Sequence, residues 1–168
     1  MSTPEPWLRG TNSEIPAVAL AVLHALQSAE EDLLRWCGSL SDRALNLRPA
    51  NLAPVAFQIR HLARSADRLL TYAEGRSLTT AQLDDLRSEF DPATRDELFA
   101  ELRAALADTS ARVCALATTN LEDARKVGRK QLPTTVGGLL VHVADHTQRH
   151  VGQAIVTAKV VRQIESAE

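Results

Sequence analysis

The sequence predicts an all-α protein, a four-helix bundle with an additional short helix between its second and third long helices. Three observations lead to this prediction. Four segments of roughly 20–30 residues carry apolar side chains at helical spacing. Alternating runs of β-branched and aromatic residues, which would indicate strands, are absent, and aromatic residues make up only 4% of the chain. At 168 residues, a single domain spanning 1–168 is long enough to bury a core.

The first long helix is predicted over roughly 13–37. Its apolar residues recur every three or four positions, and Gly38 follows the last of them. Thr11, Asn12 and Ser13 precede it and have the side chains that favour an N-cap. One of these three residues is therefore expected to cap the helix.

The second long helix is predicted from 55 to about 74. The preceding stretch, 38–54, contains two prolines and is expected to be a loop. Pro54 suits the first turn of a helix, where its missing N–H would have no partner in any case. Gly75 follows as a natural left-handed cap.

The remaining segments complete the bundle. A short helix is predicted over 80–90, and helix three over 93–119 after the cap-and-proline pair Asp91-Pro92. A connector, 121–133, leads to helix four, which is predicted over 134–164. The link between helices two and three is long enough to cross over the bundle, so the sequence leaves the order of the helices open.

The composition argues against nucleic-acid and membrane partners. The formal net charge is −2, and residues 125–130 are the nearest approach to a basic cluster. Residues 1–14 lack the apolar run of a signal peptide, and no segment approaches the ~18 apolar residues of a membrane span. We therefore expect a soluble, cytoplasmic protein.

Three of the five histidines are spaced four residues apart on the predicted fourth helix. His142, His146 and His150 spread over an arc of roughly 80° on one side of that helix, and each step climbs about 6 Å. Two imidazoles at i and i+4 can bind one divalent ion, whereas a third ring one turn further lies too far along the axis. The spacing therefore favours a pair of ligands together with a ligand from another helix. A glutamate in the HExxH arrangement is absent, which excludes that metalloprotease motif.

His61 on helix two is the best partner for such a pair. It lies between Ile59 and Leu62, at the edge of the apolar face. Three imidazoles leave a fourth position for an exogenous molecule, as catalytic zinc sites do and structural zinc sites do not. His24 is instead expected to be a packed or surface residue. From the spacing alone, coincidence or a role in core packing is a competing explanation for the histidines.

Two motifs resemble the DinB/YfiT-like superfamily. "HVADHTQRHVGQ" is similar to the fourth-helix signature of that family, through His146, His150, Gly152 and Gln153. "IRHLARSADRLLTY" is similar to its second-helix segment, in which His61 is the matching histidine. The resemblance implies a four-helix bundle of unusual connectivity and a divalent ion held by these three histidines. It also implies a homodimer in many members.

The residues around the histidines have further expected roles. His142 is expected to pack beside the site rather than to bind the ion, and Asp145 is a weak candidate for orienting a ligand ring. Arg64 and Arg68 follow His61 on the same side of helix two, and we expect solvated arginines rather than binders of a substrate carboxylate. Gly152 is expected to permit a close helix approach and Gln153 to hydrogen-bond near the site.

The resemblance implies a metal-dependent enzyme, and three functions stay open. We favour a thiol S-transferase that uses a divalent ion, Zn²⁺ or Ni²⁺, and a low-molecular-weight thiol as cosubstrate to attack a small electrophile. The first alternative is a hydrolase using metal-bound water. The second is a non-catalytic metal-binding or stress-associated bundle.

Cys37 and Cys114 are expected to be reduced thiols, with a disulfide between them left open.

Overall fold

Four long helices form the body of the molecule in a computed structural model that describes residues 4–10 and 12–166. They are α1 (Ala17–Cys37), α3 (Val55–Ala73), α5 (Arg95–Leu116) and α6 (Val136–Glu165), with the shorter α2 (Asp42–Asn46) and α4 (Thr80–Arg87) in the connections. A two-stranded antiparallel hairpin, β1 (Ala124–Val127) and β2 (Leu132–Thr135), joins α5 to α6. The predicted all-α bundle with a short extra helix is therefore confirmed, with the hairpin as an addition.

The first two long helices lie diagonally across the bundle from each other. α6 packs mainly on α1 and α3, and α5 packs on the same two helices from the other side. α3 and α6 run antiparallel, since residue 58 lies beside residue 150 and residue 65 beside residue 146. α1 and α6 run parallel, because residue 25 meets residue 148 and residue 36 meets residue 162.

The long connection between α3 and α5 crosses the length of the bundle. Both Arg60 and Arg64 contact Glu101, whereas Glu74 contacts Arg112, so α3 and α5 run in the same direction. Two parallel neighbours require a connection that returns to the starting end, and residues 74–94 provide it. The crossover that the sequence left open is present, and this connection contains α4.

Two predicted helix starts were wrong. α1 begins at Ala17 after Pro16, so Asn12 and Ser13 do not cap it, and Thr11 lies outside the described residues. α5 begins after Thr94 rather than after Asp91-Pro92. Thr94 and Glu97 form a reciprocal capping box, which satisfies two of the helix-terminal N–H groups. The helix therefore begins at this box and not at Asp91-Pro92. Gly75 has the expected left-handed conformation, with φ of 75°.

Two segments predicted as irregular contain regular structure. α2 interrupts the predicted loop 38–54, because the Ser41 hydroxyl accepts a hydrogen bond from the Ala44 N–H and caps a single turn. The hairpin forms in this region despite having no apolar alternation, since none of the residues of its two strands is fully buried. The Arg125 guanidinium donates to the Ala73 carbonyl and fixes the hairpin to the end of α3.

The core lies between the four long helices and fixes the rotation of α6. Leu140, Val143 and Val151 of α6 are buried, while Val141 on the opposite face is 58% exposed. Cys37 is buried, Cys114 is exposed, and both thiols are free. Among residues 4–10 and 12–166, none of the helices combines the length and apolar character required to cross a lipid bilayer.

Candidate metal centre

α3 and α6 bring three histidines into one cluster. The ring centroid of His61 lies 5.1 Å from that of His146 and 4.5 Å from that of His150. The rings of His146 and His150 are 4.4 Å apart, as expected for side chains one turn apart on one helix face. One nitrogen of each ring lies within 4.8 Å of those of the other two. We call this group the three-histidine cluster.

The other two histidines lie outside the cluster. The His142 ring meets the edge of the His146 ring, with centroids 5.5 Å apart, and its side chain is 43% exposed. Its Nδ1 lies 3.6 Å from Asp145 Oδ2. His142 therefore packs beside the cluster, as expected. His24 is a half-buried residue of α1 and is not part of the group.

Each histidine of the cluster has a hydrogen-bond partner at Nδ1. His61 Nδ1 donates to the Glu89 carboxylate over 2.7 Å, and His150 Nδ1 donates to the Gln58 side-chain oxygen over 2.6 Å. Neither oxygen has a hydrogen to give, so both rings carry their proton on Nδ1. The Ser65 hydroxyl donates to the Leu62 carbonyl and lies 3.2 Å from His146 Nδ1, from which it accepts.

These hydrogen bonds leave the Nε2 atoms of His61 and His146 facing each other. The two nitrogens are 3.3 Å apart, and while both rings carry their proton on Nδ1 each presents a lone pair to the other. Two lone pairs at this distance repel each other, and a cation, or a proton moved to one of the two nitrogens, relieves that repulsion. With metal–nitrogen bonds of about 2.0–2.1 Å, two ligand nitrogens of a tetrahedral ion lie about 3.3 Å apart. The donor set therefore fits a divalent ion.

Two histidines of the cluster, His146 and His150, are neutral at physiological pH. Burial lowers the pKa of His146 to about 4, with a further contribution from the charges of the neighbouring histidines. Burial and the charge of His61 likewise lower the pKa of His150 to about 4. Metal binding requires unprotonated nitrogens, so these two rings are ready to coordinate without losing a proton.

Within the described residues, no cysteine or carboxylate joins the three imidazoles. The His61 side chain is 19% exposed, so solvent reaches the cluster. Three protein nitrogens and access for an exogenous molecule are the arrangement found in catalytic zinc sites.

A comparison with protein families identifies the relationship that the motifs suggested. The family model described as the DinB superfamily matches residues 25–154, which is most of the chain. The chain belongs to the DinB superfamily. The match spans all three members of the three-histidine cluster. No curated protein and no solved structure matches the chain at a significant level.

In this DinB-superfamily protein, a buried ion pair supports His61. Glu89 is only 3% exposed and contacts both His61 and Arg68, whose Nη2 lies 2.8 Å from the carboxylate. Burial alone raises the pKa of Glu89, but the His61 hydrogen bond and the Arg68 charge outweigh it and lower the pKa. Glu89 is therefore an ionised carboxylate that orients the His61 ring, as carboxylates beside metal-binding histidines do.

Three arginines on α3 hold the segment that presents Glu89. Arg60 donates to the carbonyls of Ser88 and Asp91, and Arg64 donates to the Asp85 carbonyl and the Ser88 hydroxyl. Arg68 pairs with the Glu89 carboxylate itself. We call Arg60, Arg64 and Arg68, which recur every four residues, the arginine row. It attaches the α4–α5 connection to the helix that carries His61.

This row corrects the expectation for two of the arginines. Arg64 also pairs with Glu101 over 2.6 Å, and Arg68 is 9% exposed. Both guanidinium groups serve contacts within the chain, so neither is a solvated surface group as expected. Asp145 pairs with Arg149 over 2.7 Å, and no hydrogen bond joins it to the rings of the three-histidine cluster.

The structure also overturns the expected role of Gly152. A Cβ atom built at this position meets nothing within 4 Å, so Gly152 does not allow another helix to approach. Gln153 makes no hydrogen bond with any residue that the structure describes. Both residues line a groove between α6 and the start of α3.

The sequence indicated the three histidines but not their partners. Glu89 lies 28 positions from His61, in a connection whose path depends on the tertiary fold. Gln58 and Ser65 lie three residues before and four after His61, on the same face of α3. That spacing was the available signal for these two residues, whereas nothing local pointed to Glu89.

The buried ion pair makes a prediction about stability. Arg68→Met leaves the Glu89 carboxylate buried without its cation and should lower the free energy of unfolding by about 3–5 kcal/mol. Adding Glu89→Gln removes the orphaned charge while keeping an oxygen for His61, so the double variant should be more stable than Arg68→Met. Urea denaturation of metal-free protein measures both.

Arg103→Met is the matched control, because Arg103 is an exposed arginine on α5. It should change stability by no more than about 0.5 kcal/mol. If Arg68→Met behaved like this control, the Arg68–Glu89 pair would have no structural role.

Proposed function

We propose that this protein binds a divalent metal ion through the Nε2 atoms of His61, His146 and His150, with Zn²⁺ or Ni²⁺ favoured. The observation that carries this proposal is the pair of Nε2 atoms 3.3 Å apart, each on a ring that has a hydrogen-bond partner at Nδ1. Membership of the DinB superfamily supports it. A bound ion would supply positive charge that stabilises a thiolate or polarises a carbonyl oxygen.

We further propose that the protein is a thiol S-transferase acting on a small electrophile. Neither cysteine offers a nucleophile at the cluster. Cys37 is buried and burial raises its pKa to about 12, while Cys114 lies on α5, outside the cluster. Because thiolates rather than thiols attack, Cys37 is inert at neutral pH. The nucleophile is therefore assigned to a small thiol cosubstrate.

The residues of the chain have defined parts in this proposal. Gln58, Ser65 and Glu89 hold the three imidazoles in the Nδ1–H tautomer, so that the Nε2 atoms stay free for the ion. No protein base is required, because the thiol releases its proton to solvent. Its sulfur then forms a bond to the electrophilic carbon, and the leaving group departs with its bonding electron pair.

The metal proposal is tested by elemental analysis of protein purified without a metal-affinity column. We expect about one divalent ion per chain. His61→Ala should weaken metal affinity by more than about 100-fold in competition with a chelator, because even loss of a ligand's hydrogen-bond partner costs 10–100-fold. His24→Ala and His142→Ala are matched controls and should keep the affinity of the unaltered protein. Equal metal content in all variants would refute the proposed ligands.

The transferase proposal is tested with the Co²⁺-substituted protein. Addition of 2-mercaptoethanol should produce a sulfur-to-cobalt charge-transfer band, because the thiol binds as thiolate. Ethylene glycol, in which oxygen replaces sulfur, is the control and should leave the spectrum unchanged. A silent spectrum, together with ester hydrolysis in the absence of thiol, would instead support the hydrolase alternative. A silent spectrum without hydrolysis would support the non-catalytic one.

A further inference from the structure

A groove adjoins the three-histidine cluster along the interface of α3 and α6. It has a volume of about 680 Å³, and its walls come from the segment before α3, the first turn of α3 and the middle of α6. Leu52, Phe57 and Val156 supply apolar surface, and Leu52 and Val156 are 45% and 58% exposed. A groove of this volume is in the range that holds a small organic molecule.

Two residues of the groove wall touch the cluster directly. Gln58 accepts the hydrogen bond from His150 Nδ1, and the Phe57 ring stacks on the His61 ring with centroids 5.2 Å apart. Phe90 stacks in turn on Phe57 at 4.0 Å, so two of the three phenylalanines in the chain lie here. A molecule in the groove would therefore lie beside the imidazoles.

Gly152 lies on the α6 wall of the groove and has no internal reason to be a glycine. It occupies the interior of a 30-residue helix, where glycine is less favourable than alanine. No atom lies within 4 Å of a Cβ built there, so packing does not exclude a side chain. Because no atom of the chain fills this space, a molecule in the groove can approach the helix closely at Gly152.

The groove contains one charged residue. This residue, Arg149, is about half exposed and already pairs with Asp145, so it offers an anionic ligand only a solvated partner, whose ion pairs contribute little. The side-chain amide of Gln153 makes no hydrogen bond within the described residues and is available to a polar atom of a ligand. These features favour an uncharged molecule with an apolar body.

We propose that this groove binds the apolar body of the substrate, and that the substrate is an uncharged organic molecule of about the size of two or three aromatic rings. The inference rests on the proposed function, because it places that substrate's body next to the metal ligands. The absence of a side chain at Gly152 leaves room for the apolar part of the substrate against α6. The side-chain amide of Gln153 forms a hydrogen bond with a polar atom of the substrate. The groove therefore selects the electrophile, while the cluster serves the thiol.

The test uses N-phenyl-1-naphthylamine, an uncharged fluorescent probe, with the metal-free full chain. We expect saturable binding to the unaltered protein. Gly152→Leu should weaken this affinity at least about tenfold by filling the groove. The same change should raise Tm by about 2–4 °C, because leucine favours a helix more than glycine does. A glycine needed only for folding would instead give a lower Tm.

Two matched comparisons sharpen the test. Val156→Ser should weaken probe binding severalfold, whereas Val141→Ser, at an equally exposed valine of α6 outside the groove, should leave it unchanged. The anionic analogue 8-anilinonaphthalene-1-sulfonate should bind no tighter than the uncharged probe. Equal probe affinity in Gly152→Leu and the unaltered protein, or tighter binding of the sulfonate, would overturn the inference.

The metal content of each variant is measured separately. Gly152→Leu should take up Co²⁺ as the unaltered protein does, because the substitution touches none of the three imidazoles. Loss of probe binding with normal Co²⁺ uptake supports the groove as a separate part of the site. The opposite outcome is also informative. If the unaltered protein takes up no metal but still binds the probe, and Gly152→Leu abolishes that binding, the groove stands and only the proposed function is refuted.

Discussion

The antiparallel packing of α3 against α6 determines the position of the three histidines in the candidate site. It places His61 opposite the turn between His146 and His150, and it places Gln58 and Ser65 beside the same two rings. Hydrogen bonds at Nδ1 orient the three rings, and the Nε2 atoms of His61 and His146 face each other at 3.3 Å. The same packing that stabilises the bundle therefore assembles a donor set that fits a divalent ion.

The charge pattern around α3 links this site to the crossover connection. The arginine row binds main-chain carbonyls and one carboxylate of residues 85–91, and it thereby brings Glu89 to His61. Because the pair is buried, the two charges compensate each other in a region of low dielectric, where either alone would be costly. The parallel arrangement of α3 and α5 is what requires a long connection, and that connection supplies the carboxylate. The order of the helices therefore decides which carboxylate orients His61.

The sequence was informative where the signal is local. Helical periodicity located all four long helices, and the i, i+4 spacing together with the family resemblance singled out the three histidines that the structure places side by side. Helix starts were less certain, because Thr94 and Glu97 form a reciprocal cap that outweighs the Asp91-Pro92 signal. Glu89 and the groove at Gly152 were missed because both depend on segments that meet only in the folded chain.

The most direct measurement is X-ray absorption spectroscopy at the metal edge of protein loaded with one equivalent of Zn²⁺. Coordination by the three-histidine cluster predicts imidazole scattering from three nitrogen ligands at about 2.0–2.1 Å. It also predicts a fourth light-atom ligand that sulfur replaces when a small thiol is added. A first shell without multiple imidazoles, or one already closed by four protein ligands, would contradict the central claim that these three histidines hold an open metal site.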